Sequence, residues 1–368
     1  MLNVNWSFSI LLVFVAVIFM IPSSSLNASA ETGEFLLTFG NLGYTRGEFN
    51  GPQDVTSFSD QLFVADTYNQ RIQIFDLEGN YQRQFGSAGS GDGGFNLPYG
   101  VTVFANQIFV ADTQNNRIQV FDLAGNYQRQ FGSAGSGDGE LNLPTALAVR
   151  SNKIYVADTF NDRIEIFNPD GTFSSKFGSL GTGDGEFNHP RGIDIDSKGM
   201  IYVADSGNDR VQIFNPDGTF SSKIGSYGIE DGKFKNPRDL VLDSEGKIYV
   251  ADGDNFRIQI FNPDGSFSSK FGSEGHDPDQ FALPYSLGIG SGKIFVADAA
   301  ENRIQVYESG QLIDNETIPA SEVAKPVFTK IPEWVKTLAI WYGEGEASED
   351  DFINALQFLI KQGIIKLD

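Results

Sequence analysis

Hydrophobic and polar residues follow one scheme through most of the chain. The run MIYVAD (200–205) is apolar on both faces, as a strand buried between two layers must be. After SGND, the run RVQIF (210–214) alternates polar and apolar residues, the pattern of a second strand. Asn215-Pro216-Asp217-Gly218 then turns the chain. Proline presets the first central φ, and glycine takes the positive φ that a bulged hairpin requires. TFSSKIG (219–225) completes an outer strand, while GIDID (192–196), which follows FNHP and ends at the DSKG turn, makes an inner one. The unit is four antiparallel strands.

This unit recurs. The aspartates of its V-A-D triplet are Asp66, Asp112, Asp158, Asp205, Asp252 and Asp298, with successive spacings of 46, 46, 47, 47 and 46 residues. A fixed period of this size with strand patterning predicts an all-β fold, a six-bladed β-propeller of four-stranded antiparallel blades. Antiparallel order puts the hairpins after V-A-D and the glycine-rich interblade loops on one face, termed the top. The NPDG and DSKG turns lie on the other. A propeller must close its ring or expose strand edges. EFLLTFG (34–40) matches the outer-strand pattern NYQRQFG (80–86) and is predicted to close the sixth blade beside RIQVY (303–307), in competition with GQLIDNETI (310–318). The propeller is expected over residues 31–318.

The repeat also carries a family resemblance. A large apolar residue and x-x-P-x, then VADTxNxRIQ with Ile or Val and Phe, then G-x-Phe/Tyr and a closing FG, is similar to NHL repeats over roughly residues 35–310. The resemblance implies the propeller fold. It leaves function open, since such propellers include RNA-binding modules, protein-interaction domains, receptor sensor domains and a few lyases.

The two ends follow other rules. ILLVFVAVIFMI (10–21) is twelve apolar residues, a signal-peptide core too short for an ordinary membrane span, and Ala28-Ser29-Ala30 supplies a cleavage site. Residues 1–30 are therefore expected to direct export, or to remain as an uncleaved anchor that would be the chain's only membrane attachment. Residues 319–330 read as a linker, and 331–368 as an α-helical hairpin. There Trp334, Leu338 and Trp341, and again Phe352, Leu356 and Leu359, fall at i, i+4 and i+7, with a turn at Gly343 to Gly345 and a helix start at Ser348. P-E-W-V-K, W-Y, D-F and L-I-K-Q-G-I-I resemble a short C-terminal module of exported proteins from ammonia-oxidising archaea. Asn315-Glu316-Thr317 forms a glycosylation sequon.

Charge and composition narrow the partners. The formal charge of −22 falls entirely after residue 30, which disfavours nucleic acid and anionic lipid. With no cysteine, thiolate and disulfide chemistry are excluded. Arg71, Arg117, Arg163, Arg210, Arg257 and Arg303 each follow a V-A-D aspartate by five residues. They read as intrablade partners at the hairpin surface rather than a polyanion ring, each pair contributing only ~0–1 kcal/mol if exposed. The aspartate itself is expected to cap its own turn. Loops such as GSGDGGFN lack the lysine and helix of a phosphate loop and the ligand spacing of a calcium loop. They read as connections whose Phe95, Leu141 and Phe187 fill the gaps between blades. Amidating lyases that resemble this fold rely on histidines that hold a metal. Only His189 and His276 are present, both in top-face loops, below the three ligands a catalytic zinc needs.

Specificity is therefore sought where the repeats differ. After the repeated proline stand Gln53, Tyr99, Thr145, Arg191, Arg238 and Tyr285, and at the hairpin tips Tyr68, Gln114, Phe160, Gly207, Asp254 and Ala300. Aromatic and arginine residues on a rigid scaffold are the usual anchors of interfaces. The expected ligand-binding residues are Tyr99, Arg191, Arg238, Tyr285, Tyr68 and Phe160. The expected function is an exported module that binds a protein, peptide or glycan at the cell surface through its top face. Binding is favoured over catalysis, with no catalytic residue and no cofactor assigned, a structural divalent ion such as calcium being compatible. The alternative is a metal-dependent lyase or hydrolase that uses the central channel.

Overall fold

A computed structural model of the chain describes residues 32–310. The proposed signal segment, the sequon and the C-terminal helical hairpin lie outside the described residues. Six four-stranded antiparallel sheets form the ring. The first four blades run, from inner to outer strand, Pro52–Phe58, Gln61–Asp66, Arg71–Asp76 and Tyr81–Phe85; Pro98–Phe104, Gln107–Asp112, Arg117–Asp122 and Tyr127–Phe131; Leu147–Arg150, Lys153–Asp158, Arg163–Phe167 and Phe173–Phe177; and Pro190–Ile195, Ile201–Asp205, Arg210–Phe214 and Phe220–Ile224. The fifth is Pro237–Leu242, Ile248–Asp252, Arg257–Phe261 and Phe267–Phe271. The sixth takes Pro284–Gly290, Lys293–Asp298 and Arg303–Glu308 from the last repeat, and its outer strand is Phe35–Phe39.

There is one hydrophobic cluster for each blade interface, and side-chain alternation in the second strand explains why. In blade 4, Ile201 and Val203 pack toward blade 3, whereas Tyr202 and Ala204 pack toward blade 5. Both faces are dry, so the strand cannot alternate with polar residues. The interblade loops add one large plug per gap: Phe49, Phe95, Leu141, Phe187, Phe234 and Phe281 are all fully buried. Where the third strand meets the fourth, the register shifts by one residue, as between Ile213 and Phe214, and Gly218 sits at φ 82° in the turn that follows.

The V-A-D aspartate departs from expectation in two respects. It does not cap its own turn, whose 3-10 helix has no side-chain cap bond. It reaches back to the preceding interblade loop. Asp112 Oδ1 accepts Asn96 N–H at 2.7 Å, while Oδ2 accepts Arg117 Nε at 2.8 Å, Asn115 Nδ2 at 2.9 Å and Gln119 Nε2 at 3.0 Å. The pair is also buried, not exposed: Asp112 is 0% accessible and Arg117 6%. Arg117 Nη2 donates to the loop carbonyls of Gly91 and Gly94 at 2.8 and 2.9 Å. A carboxylate, a guanidinium and an amide thus clasp a loop whose own ladder is a two-residue parallel pairing of Ser87–Ala88 with Gly94–Phe95, and the same clasp recurs around the ring. The arginines are spent on it and form no open basic ring.

Neighbouring blades are tied at the hairpins too. Thr67, Thr113, Thr159 and Ser206 donate their hydroxyls to the carbonyls of Pro98, Pro144, Pro190 and Pro237. Closure uses a second tie, in which Asn302 Oδ1 accepts Gly51 N–H at 2.8 Å, as Asn116 Oδ1 accepts Leu143 N–H at 2.9 Å between blades 2 and 3. The closing strand brings Leu37 and Phe39 to the core shared by blades 1 and 6, and Phe35 to that shared by blades 5 and 6. Phe39 lies 5.1 Å from Phe75 between ring centroids.

Two outcomes test this account. Asp112→Ala leaves Arg117, Gln119 and Asn96 N–H without their buried acceptor and should cost about 3–5 kcal/mol in urea unfolding. Phe39→Ala should cost about 2–4 kcal/mol and promote self-association, seen by size-exclusion chromatography, as the edge of Arg303–Glu308 loosens.

Candidate functional site

The inner strands start at the top face with the residues that differ most among repeats. Four of them meet over the mouth of the central channel. Arg191 Nη1 donates to Tyr285 Oη at 2.8 Å. The Arg238 guanidinium sits 5.2 Å from the centroid of the same ring, and Tyr99 meets it edge-on at 6.4 Å. Arg238 Nη2 also lies 3.4 Å from Asp254 Oδ1. Burial, then its neighbours Tyr285 and Tyr68, pushes the Tyr99 hydroxyl above its ordinary value, against a hydrogen bond from Gln53 and the Arg191 charge. Gln53 is only 7% exposed and its buried Oε1 has no hydrogen-bond partner, leaving one acceptor for a donor at the mouth. Thr145 turns away and shares a hydrogen bond with Thr159 at 2.7 Å.

The tip residues divide. Tyr68, 51% exposed, lies over Gly51, where an added Cβ would fall 2.4 Å from its ring. Phe160, 48% exposed, stacks edge-on against His189 at 4.9 Å. Phe160, His189, Arg191, Lys235, Asp254 and Tyr227 line an open hollow beside the channel mouth. Arg191 borders both spaces. Tyr227 was not among the sequence candidates. Its signal was available, since the equivalent interblade position carries Leu42, Ala88, Ala134, Leu180, Tyr227 and Glu274, and three of these are large exposed apolar groups.

Below the mouth, the channel has a volume of about 150 Å³ and contains three carboxyls that sequence reading also missed. Each ties one inner strand to the next. Asp54 Oδ2 accepts Val101 N–H at 2.6 Å, Asp194 Oδ2 accepts Leu242 N–H at 2.8 Å, and Asp239 Oδ2 accepts Leu287 N–H at 3.0 Å. Ser286 donates to Asp54 and also lies within bonding reach of Asp239. Between blades 2 and 3 no such tie is built among the described residues, and the backbones lie close there: a Cβ on Gly100 would stand 2.5 Å from Thr145 O.

The carboxyls are held by amide donors yet enclosed by protein, and enclosure wins. Burial, reinforced by the Asp239 charge and opposed by Ser286, Val101 and Val55, raises Asp54 to about 7. Burial raises Asp194 to about 7 against the Leu242 and Ile195 amides, and raises Asp239 to about 6. Among the described residues, no group of three or more His, Cys, Asp or Glu is placed to hold a metal ion. His276 stands apart, 2.7 Å from Glu301.

Comparisons with known proteins agree with this architecture. A family model described as a 6-bladed beta-propeller matches residues 95–149 and 141–211, and the NHL repeat matches residues 49–75 and 234–261. The chain is a six-bladed β-propeller, with NHL repeats matching at residues 49–75 and 234–261. No curated protein matches it. Among solved structures it is similar to a protein of unknown function from Bacteroides thetaiotaomicron, with 18% identity, a TM-score of 0.55, and 76% of this chain and 73% of that one covered. Virginiamycin B lyase from Staphylococcus aureus gives 14%, 0.52, 76% and 88%. A gluconolactonase from Xanthomonas campestris gives 14%, 0.54, 72% and 87%. Identities this low establish the shared fold alone.

The channel carboxyls make a spectroscopic prediction. Raised folded values mean that the fold holds protons its unfolded chain releases, so their contribution to stability is full below about pH 4 and is lost as pH rises to about 7. Carboxyl carbon-13 NMR should show Asp54 and Asp239 titrating as a pair, in steps near 6 and 7. Values near 4 for all three would contradict this assignment.

Proposed function

We propose that this propeller is an exported, non-catalytic binding module that takes a protein, peptide or glycan at the cell surface on its top face. The observation that carries the reading is the junction at Tyr285: Arg191 bonds its hydroxyl, Arg238 covers its ring and Tyr99 meets its edge. Four side chains from four blades, none fixed by the repeat, form one preorganised surface. Preorganised aromatic and guanidinium groups carry much of the energy in interfaces, since little rotamer entropy remains to be lost. Phe160 and Tyr227 extend the surface, Gln53 offers an acceptor, and the Arg191 and Lys235 cations stand out in a chain of net charge −22. The apolar segment 10–21 and Ala28-Ser29-Ala30 support export. Binding of this kind requires no cofactor.

The catalytic alternative draws its support from the Asp54, Ser286 and Asp239 group, whose raised carboxyls suit proton transfer near neutral pH. Its metal-dependent form fits less well, because the described residues do not bring three ligands together.

Capture from cell-surface extract by immobilised protein should fall at least about tenfold when Arg191, Arg238 and Tyr285 are replaced together by alanine, a loss of at least ~1.4 kcal/mol. Capture should survive Asp54→Asn. Retained capture by the triple variant would remove the site from the top-face mouth, and a ligand consumed by wild type but not by Asp54→Asn would favour catalysis.

A further inference from the structure

The third strand of each blade carries a residue that completes the clasp from below, and five of the six are glutamine: Gln73, Gln119, Gln212, Gln259 and Gln305. Each amide works in both directions. Its Oε1 accepts a loop N–H, from Gly47, Gly93, Gly185, Gly232 or Asp279, at 2.9–3.0 Å. Its Nε2 donates to a loop carbonyl, that of Glu48, Gly94, Glu186, Lys233 or Gln280, at 2.6–2.7 Å. The same nitrogen reaches Oδ2 of the V-A-D aspartate, at 3.0 Å in the first blade and 3.5 Å in the sixth.

Blade 3 has Glu165 here. The acceptor half is preserved, since Glu165 Oε2 takes Gly139 N–H at 3.1 Å. The donor half is missing. Glu165 is fully buried, and its Oε1 has no hydrogen-bond partner. Arg163 Nη2 stands 2.9 Å away but directs its hydrogen bonds to Gly137 O and Glu140 O. The amide nitrogen of the other blades faces an aspartate and a loop carbonyl, so an ionised oxygen in its place opposes two acceptors.

We infer that blade 3 is a proton-operated clasp: Glu165 closes it as a neutral acid, donating where the other blades use an amide, and loosens the loop over residues 133–142 when it ionises. A carboxylic acid has one donor and one acceptor, the set that this position requires. The charged groups around it do not replace that proton. Arg163 already serves Asp158 at 2.8 Å. Lys176, opposite Glu165 on the outer strand, turns its amine to Asp138 at 2.8 Å, and both of those groups are largely exposed. On the loop, the Glu140 carboxylate is occupied by Gly137 N–H at 2.8 Å. Burial raises Glu165 to about 7, with Arg163 opposing, Asp158 adding to the rise, and Gly139 and Lys176 opposing. The clasped loop also positions the top face, because Phe160 N–H donates to Asn142 O at 3.1 Å. The inference concerns loop closure and stands apart from the choice of ligand.

The sign follows from linkage. A carboxyl raised from 4.5 to about 7 on folding binds its proton more tightly in the folded chain, so stability is lost as pH rises through that window. Glu165→Gln restores the residue of the other five blades and removes the titration. Urea midpoints of the full chain should therefore diverge, with the variant gaining on wild type between pH 5 and pH 8. Hydrogen exchange of the loop over 133–142, corrected for intrinsic rates, should accelerate about tenfold from pH 6 to pH 8 in wild type relative to Glu165→Gln, as the protonated fraction falls about tenfold. Gln212→Glu should transplant the same dependence to blade 4. A gap between Glu165→Gln and wild type that does not change with pH, in both midpoint and exchange, would overturn the inference.

Discussion

The structure depends on a carboxylate that cannot reach water. The V-A-D aspartate is fully buried in every blade, and a buried carboxylate is tolerated only if its oxygens are filled by donors. Those donors come from three directions: the arginine across the hairpin, in five blades a glutamine amide two residues further along the arginine's strand, and the N–H of a loop sixteen or so residues earlier. Meeting the requirement organises everything around it. The hairpin is held in a single geometry, the glycine-rich loop acquires a fixed path, and its aromatic residue enters the gap between blades. Isolated exposed ion pairs would contribute little, whereas a buried clasp makes loop and blade one cooperative unit.

Rigidity of this kind lets the channel vary. The inner strands are connected by whatever fits: carboxyl to amide through Asp54, Asp194 and Asp239, hydroxyl to carboxyl through Ser286, and backbone against backbone at Gly100. The hairpin clasps and blade cores hold the ring regardless. A tie that need not be uniform can acquire unusual protonation, and the mouth above it can acquire arginines and tyrosines that no repeat rule demands. Variation at the axis is the counterpart of uniformity at the hairpins.

Much of this was legible in the sequence, for reasons of range. The period, the double-faced apolar second strand and the NPDG turn are local patterns, and each fixes its element without knowledge of the others. The four mouth residues were found by counting from the repeated proline. The buried clasp was misread because its decisive bond, Asp112 to Asn96 N–H, joins residues separated by a whole strand and a turn, and an aspartate followed by a turn locally resembles a cap. The channel carboxyls escaped because Asp54 and Asp239 share a repeat position whereas Asp194 does not, so no column of the repeat marks them. Glu165 is an acid where the other five repeats carry glutamine, but the sequence reading did not single it out, because its meaning requires the direction of every hydrogen bond around it.

Departures from the repeat show whether the donor and acceptor ledger is being kept. In blade 5, Phe256 occupies the position where other blades offer a side-chain oxygen to the next loop, and it cannot accept Leu283 N–H. Asp298 makes up the loss by taking both Ala282 and Leu283 N–H, at 3.1 and 2.9 Å. Blade 6 then lacks the clasp asparagine, and Glu301 in its place turns outward to His276, leaving the arginine bond at 3.1 Å, longer than in other blades. The first exception is rebalanced by the neighbouring aspartate and the second is pushed to the surface. Glu165 is neither, because it remains fully buried with one oxygen that has Arg163 as an ion-pair neighbour but accepts no hydrogen bond. A ring that repairs its other mismatches and retains this one keeps a position whose balance depends on a proton, beneath the loop that supports Phe160.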